Sequence, residues 1–197
     1  MALWKQRLQS SLQKNAHLVY SKYVQLATCK QMPDGSWRPS NRTVVFRGFL
    51  EEGDELTFVT DKRSHKVSEL AVNPAAEVAW YFPESREQYR LVGELQVVGS
   101  GHPDAALLAA RQAAWGKMSD GGRSQFAWPD PGTPRDPDPE VFKRPTPGPD
   151  QPPLDTFCLL VLRVHEVDLV NLFDNYRARF LPSSADGGGW SMSEVNP

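Results

Sequence analysis

The sequence predicts a mainly β fold: an antiparallel sheet closed into a small barrel, with helices on its flanks. Strand-like segments of alternating apolar and polar residues succeed one another through short turns, at positions 23–28, 42–50, 56–61, 77–82 and 88–98, with a strongly apolar one at 157–164. Few helical segments interrupt them, which favours the barrel over a parallel β–α–β sheet. No Gly-x-Gly-x-x-Gly joins a strand to a helix, and the chain has no Gly-Lys-Ser or Gly-Lys-Thr loop and no internal repeat.

Taken in order, Leu3, Trp4, Leu8 and Leu12 recur at near-helical spacing and make an amphipathic helix packed on the main body. The strand at 23–28 is followed by a Pro33-Asp34-Gly35-Ser36 turn, the strand at 42–50 and a second turn at 51–54. Leu56, Phe58 and Thr60 alternate with Thr57, Val59 and Asp61, giving a half-buried strand that runs into a helix starting within 60–66. Val67, Leu70 and Ala71 form that helix's apolar side, and Asn73-Pro74 stops it. In the strand at 88–98, Tyr89, Leu91, Gly93, Leu95 and Val97 share one face, opposite Gln88, Arg90, Glu94 and Gln96. Positions 104–115 are rich in alanine and leucine and read as helix. Ten of the 17 prolines fall between Phe126 and Leu154, so about 126–154 is expected to be an extended loop, partly mobile and draped over a partner subunit. Strands at 176–181 and 190–192, separated by a flexible 185–189, end the chain.

A chain of 197 residues, 40% hydrophobic and 23% charged, suits one domain spanning 1–197. The net charge of -2 argues against a nucleic-acid or membrane-surface partner. No secretory core precedes the body and no apolar run reaches the roughly 20 residues that span a bilayer, so a cytoplasmic protein is expected. Cys29 and Cys158 give no disulfide framework and sit in apolar surroundings as inert core thiols. His17, His102 and His165 lack partners at metal-ligand spacing, so no metal is expected; no nucleophile elbow appears either.

The chemistry concentrates in Thr60-Asp61-Lys62-Arg63-Ser64-His65-Lys66, three fixed cations and a histidine at a helix start. A helix N-terminus is already positive, and each added cation costs about 0.3 to 1 kcal/mol unless an anion sits among them. Upstream, Asn41-Arg42-Thr43-Val44-Val45-Phe46-Arg47 adds two arginines on a strand. Together the two segments form a candidate site for a phosphorylated ligand.

These segments, followed by Asn73-Pro74 and Glu87-Gln88-Tyr89-Arg90-Leu91-Val92-Gly93, resemble the flavin-binding core of the pyridoxamine 5'-phosphate oxidase family. Arg179-Phe180 and Trp190 with Val195-Asn196-Pro197 are similar to that family's closing residues. Trp80-Tyr81-Phe82-Pro83 and Phe126-Ala127-Trp128-Pro129 resemble its plant and cyanobacterial branch. The resemblance implies an FMN-binding split barrel, a homodimer with one FMN in each of two clefts between subunits. Arg42 and Lys66 match positions that grip the FMN phosphate, with Thr60, Ser64 and His65 beside them. Val44, Val45 and Val59 match positions lining the ring, Thr43 belongs to the same cofactor strand, Gln88 matches a glutamine from the second subunit, and Arg179 matches an arginine near the ring. Arg47 stands where the family has a lysine shared by flavin and substrate. Arg47, Arg111 and Arg177 are the expected contacts to a small-molecule substrate.

The implied activity is that of an FMN flavoprotein oxidoreductase, oxidising pyridoxamine or pyridoxine 5'-phosphate to pyridoxal 5'-phosphate with oxygen. Two alternatives stay open: a flavin reductase or other FMN-dependent oxidoreductase on a different substrate, and a non-catalytic FMN-binding module. The sequence departs from the oxidases at Asn175-Tyr176-Arg177-Ala178, where they carry Arg-Leu-His-Asp, and at His65, which replaces an arginine, with Arg63 next to it to compensate.

Overall fold

The computed structural model describes residues 2–51, 53–183 and 189–197; of the expected 185–189 linker, only Gly189 lies within them. In chain order the elements are α1 (Leu3–Lys14), β1 (Tyr23–Gln31), β2 (Trp37–Val45), β3 (Gly48–Phe49), β4 (Leu56–Asp61), α2 (His65–Val72), β5 (Ala75–Phe82) and β6 (Glu87–Val98). There follow α3 (Ala105–Gly116), the short α4 (Asp120–Ser124), 3-10 turns at Gln125–Ala127 and Pro139–Lys143, then β7 (Phe157–Asn171), β8 (Tyr176–Pro182) and β9 (Trp190–Val195). The strands make one antiparallel sheet in the order β2-β1-β5-β6-β7-β4-β3.

β7 is long enough, at 15 residues, to serve two neighbours along one edge. Its first half pairs with β4, from Phe157 to Leu162, and its second half with β8, from Val167 to Asn171. The other edge runs along the whole of β6. This divergence splits the barrel, and β9 extends the β8 branch.

Cross-strand register assembles the core. Leu26, Val78, Leu91, Val167 and Phe180 sit opposite one another on successive strands, and all five are fully buried. Closure happens at Phe46 and Arg47. The Phe46 N–H donates to Lys22 O at 2.8 Å, beside β1, while the next N–H, of Arg47, donates to Thr57 O at 2.9 Å on β4. The chain thereby crosses from one end of the sheet to the other, and the Phe46 ring meets Trp80 at 4.9 Å and Phe58 at 6.4 Å inside the barrel. This crossing breaks the strand expected at 42–50 into β2 and β3. Gly48, at φ 134°, makes the bend in a conformation that L side chains rarely adopt. β2 also begins earlier than expected and carries Pro39, tolerated because β2 is an edge strand.

α1 covers one barrel opening, with Trp4 and Leu8 fully buried and the Trp4 ring 5.5 Å from Trp190. α3 starts where Asp104 caps it, its carboxylate accepting from Ala106 N at 2.8 Å and Leu107 N at 3.2 Å. The proline-rich segment at 126–154 is irregular apart from its 3-10 turns, as expected of a loop, and specific contacts hold it. Trp128 Nε1 donates to Phe142 O at 3.1 Å, and Trp115 Nε1 donates to Gly148 O at 3.0 Å. Phe126 packs with Trp115 and Phe157 in a second small core. Proline excludes helix and central strand here, but the aromatic residues anchor the segment to the body.

The register of β6 shifts between Val92 and Gly93, and the two strands approach so closely that a Cβ at position 93 would lie 2.0 Å from Arg163 O. Gly93→Ala is therefore expected to destabilise the fold by about 1 to 3 kcal/mol through forced backbone displacement. Urea denaturation checks this, and an unchanged midpoint would contradict the close approach.

Candidate functional site

Arg42 occupies the edge position of the inner row, opposite Leu26, so its side chain lies on the inner face beneath α2. There its Nη2 donates to Glu69 Oε2 at 2.8 Å and Ser40 Oγ at 2.9 Å, and its Nη1 donates to Thr28 Oγ1 at 2.6 Å. Glu69 is buried. Burial pushes its carboxyl up, but hydrogen bonds from Thr28 and Arg42 outweigh that and hold it below the ordinary value.

Lys66, one residue into α2, reaches back to the end of β4. Its Nζ donates to Thr60 Oγ1 at 2.9 Å and Ser64 Oγ at 3.1 Å. Among the described residues no carboxylate comes within ion-pair distance of it. Burial, and next the charge of Arg42, push the Lys66 pKa below its ordinary 10.5, with Glu69 and Asp61 acting weakly in the other direction. Ser64 precedes α2 without capping it through its side chain. A half-buried ammonium beside a second cation, solvated by two hydroxyls at an uncapped helix start, is a donor set that suits an anion.

The remaining residues of the charged stretch behave differently. α2 begins at His65 and not at Thr60, so Lys62 and Arg63 precede the helix. Arg63 is committed elsewhere and does not compensate at the cradle: Nη2 binds Asp61 Oδ2 at 2.6 Å, Nη1 binds Asp130 Oδ1 at 2.7 Å, and Trp128 O accepts from Nη2 at 3.0 Å. It ties the proline-rich segment to the mouth of the site. His65 is exposed, with Gly132 of that segment close against its ring.

On β2, Thr43 faces outward, bonded to Gln25 Nε2 at 3.0 Å; Val44 packs on the main core; Val45, with Arg47 just beyond the strand, lines a cavity bounded by α3. Val59 packs between the two smaller cores. Among the described residues the second edge of β2 carries no strand, which leaves backbone donors and acceptors open beside Val44 and Val45. Gln88, Arg177 and Arg179 lie on the opposite, outer face of the sheet. Gln88 is in line with Val170 and Arg177, and Arg179 with Asp168, Arg90, Ala79 and Gln25. Arg177 forks onto Asp168 at 3.0 and 2.7 Å, and Arg179 onto Glu166 at 3.1 and 2.5 Å. One chain thus does not bring them to Arg42 and Lys66.

Arg111 corrects the substrate expectation. It is buried and points away from the cavity, donating to Phe157 O through Nε and Nη2 and to Leu154 O at 2.8 Å, with its guanidinium over the Phe157 ring. Its job is to hold the entry to β7. The thiol of Cys158 is buried and pushed up by that burial. Among the described residues no group of His, Cys, Asp or Glu is placed to hold a metal ion, and no helix is long and apolar enough to cross a membrane.

A split barrel with a cationic, hydroxyl-lined cradle where a strand edge meets a helix start defines a binder of a phosphorylated cofactor. Residues 1–99 match the family model described as pyridoxamine 5'-phosphate oxidase, FMN-binding domain. The pyridoxine/pyridoxamine 5'-phosphate oxidase 2 of Arabidopsis thaliana is 40% identical over 200 residues, covering 100% of this chain and 98% of that protein. A pyridoxamine 5'-phosphate oxidase-related, FMN binding protein from Nostoc punctiforme superimposes with a TM-score of 0.91 at 40% identity, covering 100% and 99% of the two chains. PhzG from Burkholderia lata shares the fold, with a TM-score of 0.71 at 18% identity over 98% and 90%. The chain belongs to the pyridoxamine 5'-phosphate oxidase family of FMN-binding domains, and its cofactor is FMN. The cradle of Arg42, Thr60, Ser64 and Lys66 fits the FMN phosphate in charge and in donors.

Sequence reasoning missed Thr28 and Glu69, which fix the Arg42 guanidinium. The signal was Glu69 itself, an acid three residues after Lys66 on the face that buries Leu70. Because phosphate favours the charged ammonium, FMN affinity should hold at pH values below the Lys66 pKa of the free protein and fall as pH rises through it. That fall should therefore begin below 10.5. Equilibrium FMN titration across pH checks this: Lys66→Arg should remove the early fall, and identical alkaline profiles in both proteins would contradict it.

Proposed function

We propose that the protein is an FMN-dependent oxidoreductase acting on a small molecule. The observation that carries this reading is the half-buried Lys66 ammonium, paired with hydroxyls and flanked by Arg42. Arg42 would meet the phosphate from the strand side with a planar fork, and Lys66 from the helix side with a compact charge. Val45 and the open edge of β2 would hold the ring, supplying an apolar wall and backbone polar groups. Bound FMN supplies hydride acceptance and electron transfer to oxygen or another acceptor. The chain's own residues bind, orient and shield it.

We further propose that the working unit is a homodimer. Gln88 and Arg179 lie on the sheet face opposite the cradle, so they act on a flavin only if a second copy presents that outer face to it. Exposed Tyr81, beside Gln88 on that face, supports an apolar contact there.

A second reading, oxidation of pyridoxine or pyridoxamine 5'-phosphate, is supported by the name of the Arabidopsis relative. It has to do without Arg111, which faces away from the cavity.

Purified protein should bind FMN, and Arg42→Ala or Lys66→Ala should each weaken it by about 1.5 to 3 kcal/mol, the scale of a charge-assisted bond. Fluorescence titration of FMN measures this, and unchanged affinity in both variants would move the phosphate elsewhere. In anaerobic stopped flow, bleaching of the flavin band by pyridoxamine 5'-phosphate would support the second reading. Bleaching by NADPH alone would support a flavin reductase, and bleaching by no donor across a panel would leave a non-catalytic FMN module.

A further inference from the structure

Val45 and Arg47, at the end of the strand that carries Arg42, open into a cavity of about 750 Å³ whose far wall is α3. That wall consists of methyl groups, with Ala106, Ala109, Ala110 and Ala113 all facing inward. The near wall carries the rings of Phe46 and Phe49, which meet edge to face at 5.3 Å. The only fixed fork that the described residues of one chain give the lining is the Arg47 guanidinium. Its side chain is exposed and makes no ion pair or hydrogen bond with any described residue. The walls strip part of its hydration, which pushes its pKa down yet leaves it charged. Lys22, Lys117 and Glu51 stand at the solvent margin, two lysines on long mobile stems and one carboxylate that offsets one of them.

The features that a phosphate ester needs are otherwise engaged. Arg111, the sole arginine of α3, is turned onto the carbonyls of Leu154 and Phe157. The N-terminus of α3 is already occupied by the Asp104 carboxylate, which takes Ala106 N and Leu107 N. A dianion on Arg47 would face alanine methyls with one guanidinium beside it and its second charge left to the lysines at the solvent margin, an unfavourable exchange for its hydration. A carboxylate matches the single fork in both charge and geometry.

We propose that this cavity takes a substrate with an apolar, ring-sized body and a single carboxylate, the body against α3 and Phe49 and the carboxylate on Arg47. The assignment rests on the flavin-site reading above, since Val45 lies on the strand that carries Arg42 and Arg47 just beyond it. It names the substrate class for that site.

The test uses two probes with one body, naphthoate and naphthyl phosphate, titrated into FMN-loaded protein and followed by calorimetry and by perturbation of the flavin spectrum. Naphthoate should bind roughly tenfold or more tightly than naphthyl phosphate, and Arg47→Gln should weaken it by roughly tenfold. Ala110→Leu fills the cavity without touching the cradle, so it should abolish naphthoate binding and leave FMN affinity unchanged. Preference for the phosphate probe, or indifference of naphthoate to both substitutions, overturns the proposal. If the wild-type protein takes up no FMN, the flavin-site reading fails separately. Calorimetry of naphthoate with the flavin-free protein then decides the cavity's occupant, and absence of binding overturns the proposal there too.

Discussion

Two consecutive N–H groups, of Phe46 and Arg47, bond to opposite ends of the sheet order, one beside β1 and the other on β4. That crossing turns a meander of strands into a closed barrel, because it brings the edge strand β2 to the strand that feeds α2. Without it, Arg42 on β2 and Thr60 on β4 would belong to distant edges. The interior ring cluster of Phe46, Phe58 and Trp80 holds the crossing in place. Each buried aromatic of this kind contributes on the order of 1.5 to 3 kcal/mol by area alone, more than any single surface ion pair in the chain.

The electrostatics of the cradle follow from this closure. Arg42 is inward-facing at a barrel edge, and an unpaired guanidinium there would carry a large desolvation cost. Glu69 and Thr28 offset that cost and at the same time fix the direction of the fork. Among the described residues Lys66 has no such carboxylate, so the cradle keeps a surplus of positive charge. A bound phosphate would remove that surplus. Arg63, in the same charged stretch, is balanced by Asp61 and Asp130 and serves instead to seat the proline-rich segment. The charged stretch in the sequence thus combines a structural clamp, Arg63, with a cation, Lys66, that has no carboxylate partner among the described residues.

Much of this was legible in the residues. Alternation placed Tyr89 and Leu91 on the core face and Gln88 and Arg90 on the other, and register confirms that division. The antiparallel barrel followed from turn-linked strands with few helices between them. Other features depend on tertiary context that local pattern does not encode. The break at Gly48 reflects a change of hydrogen-bonding partner and not a loss of strand propensity. The packing of 126–154 comes from Phe126 meeting Trp115 and Phe157, from Arg63 holding Trp128 O and from Trp128 meeting Phe142 within the segment, whereas proline content alone predicts an extended path. Arg111 looked like a free cation on an alanine helix, and its partners are backbone carbonyls more than forty residues away, invisible to any sequence spacing. Glu69 takes its role from the register of β2, which sets Arg42 beneath it.

The central claim is that Arg42 and Lys66 hold the phosphate of FMN as a dianion. Phosphorus NMR of the FMN-bound protein across pH tests it most directly. A free phosphate monoester takes up its second proton near pH about 6, so its resonance shifts through that region. Phosphate held in the cradle should show no such titration down to well below that pH, because both cations favour the dianion. A bound FMN whose resonance titrates like the free cofactor would place the phosphate in solvent and contradict the account.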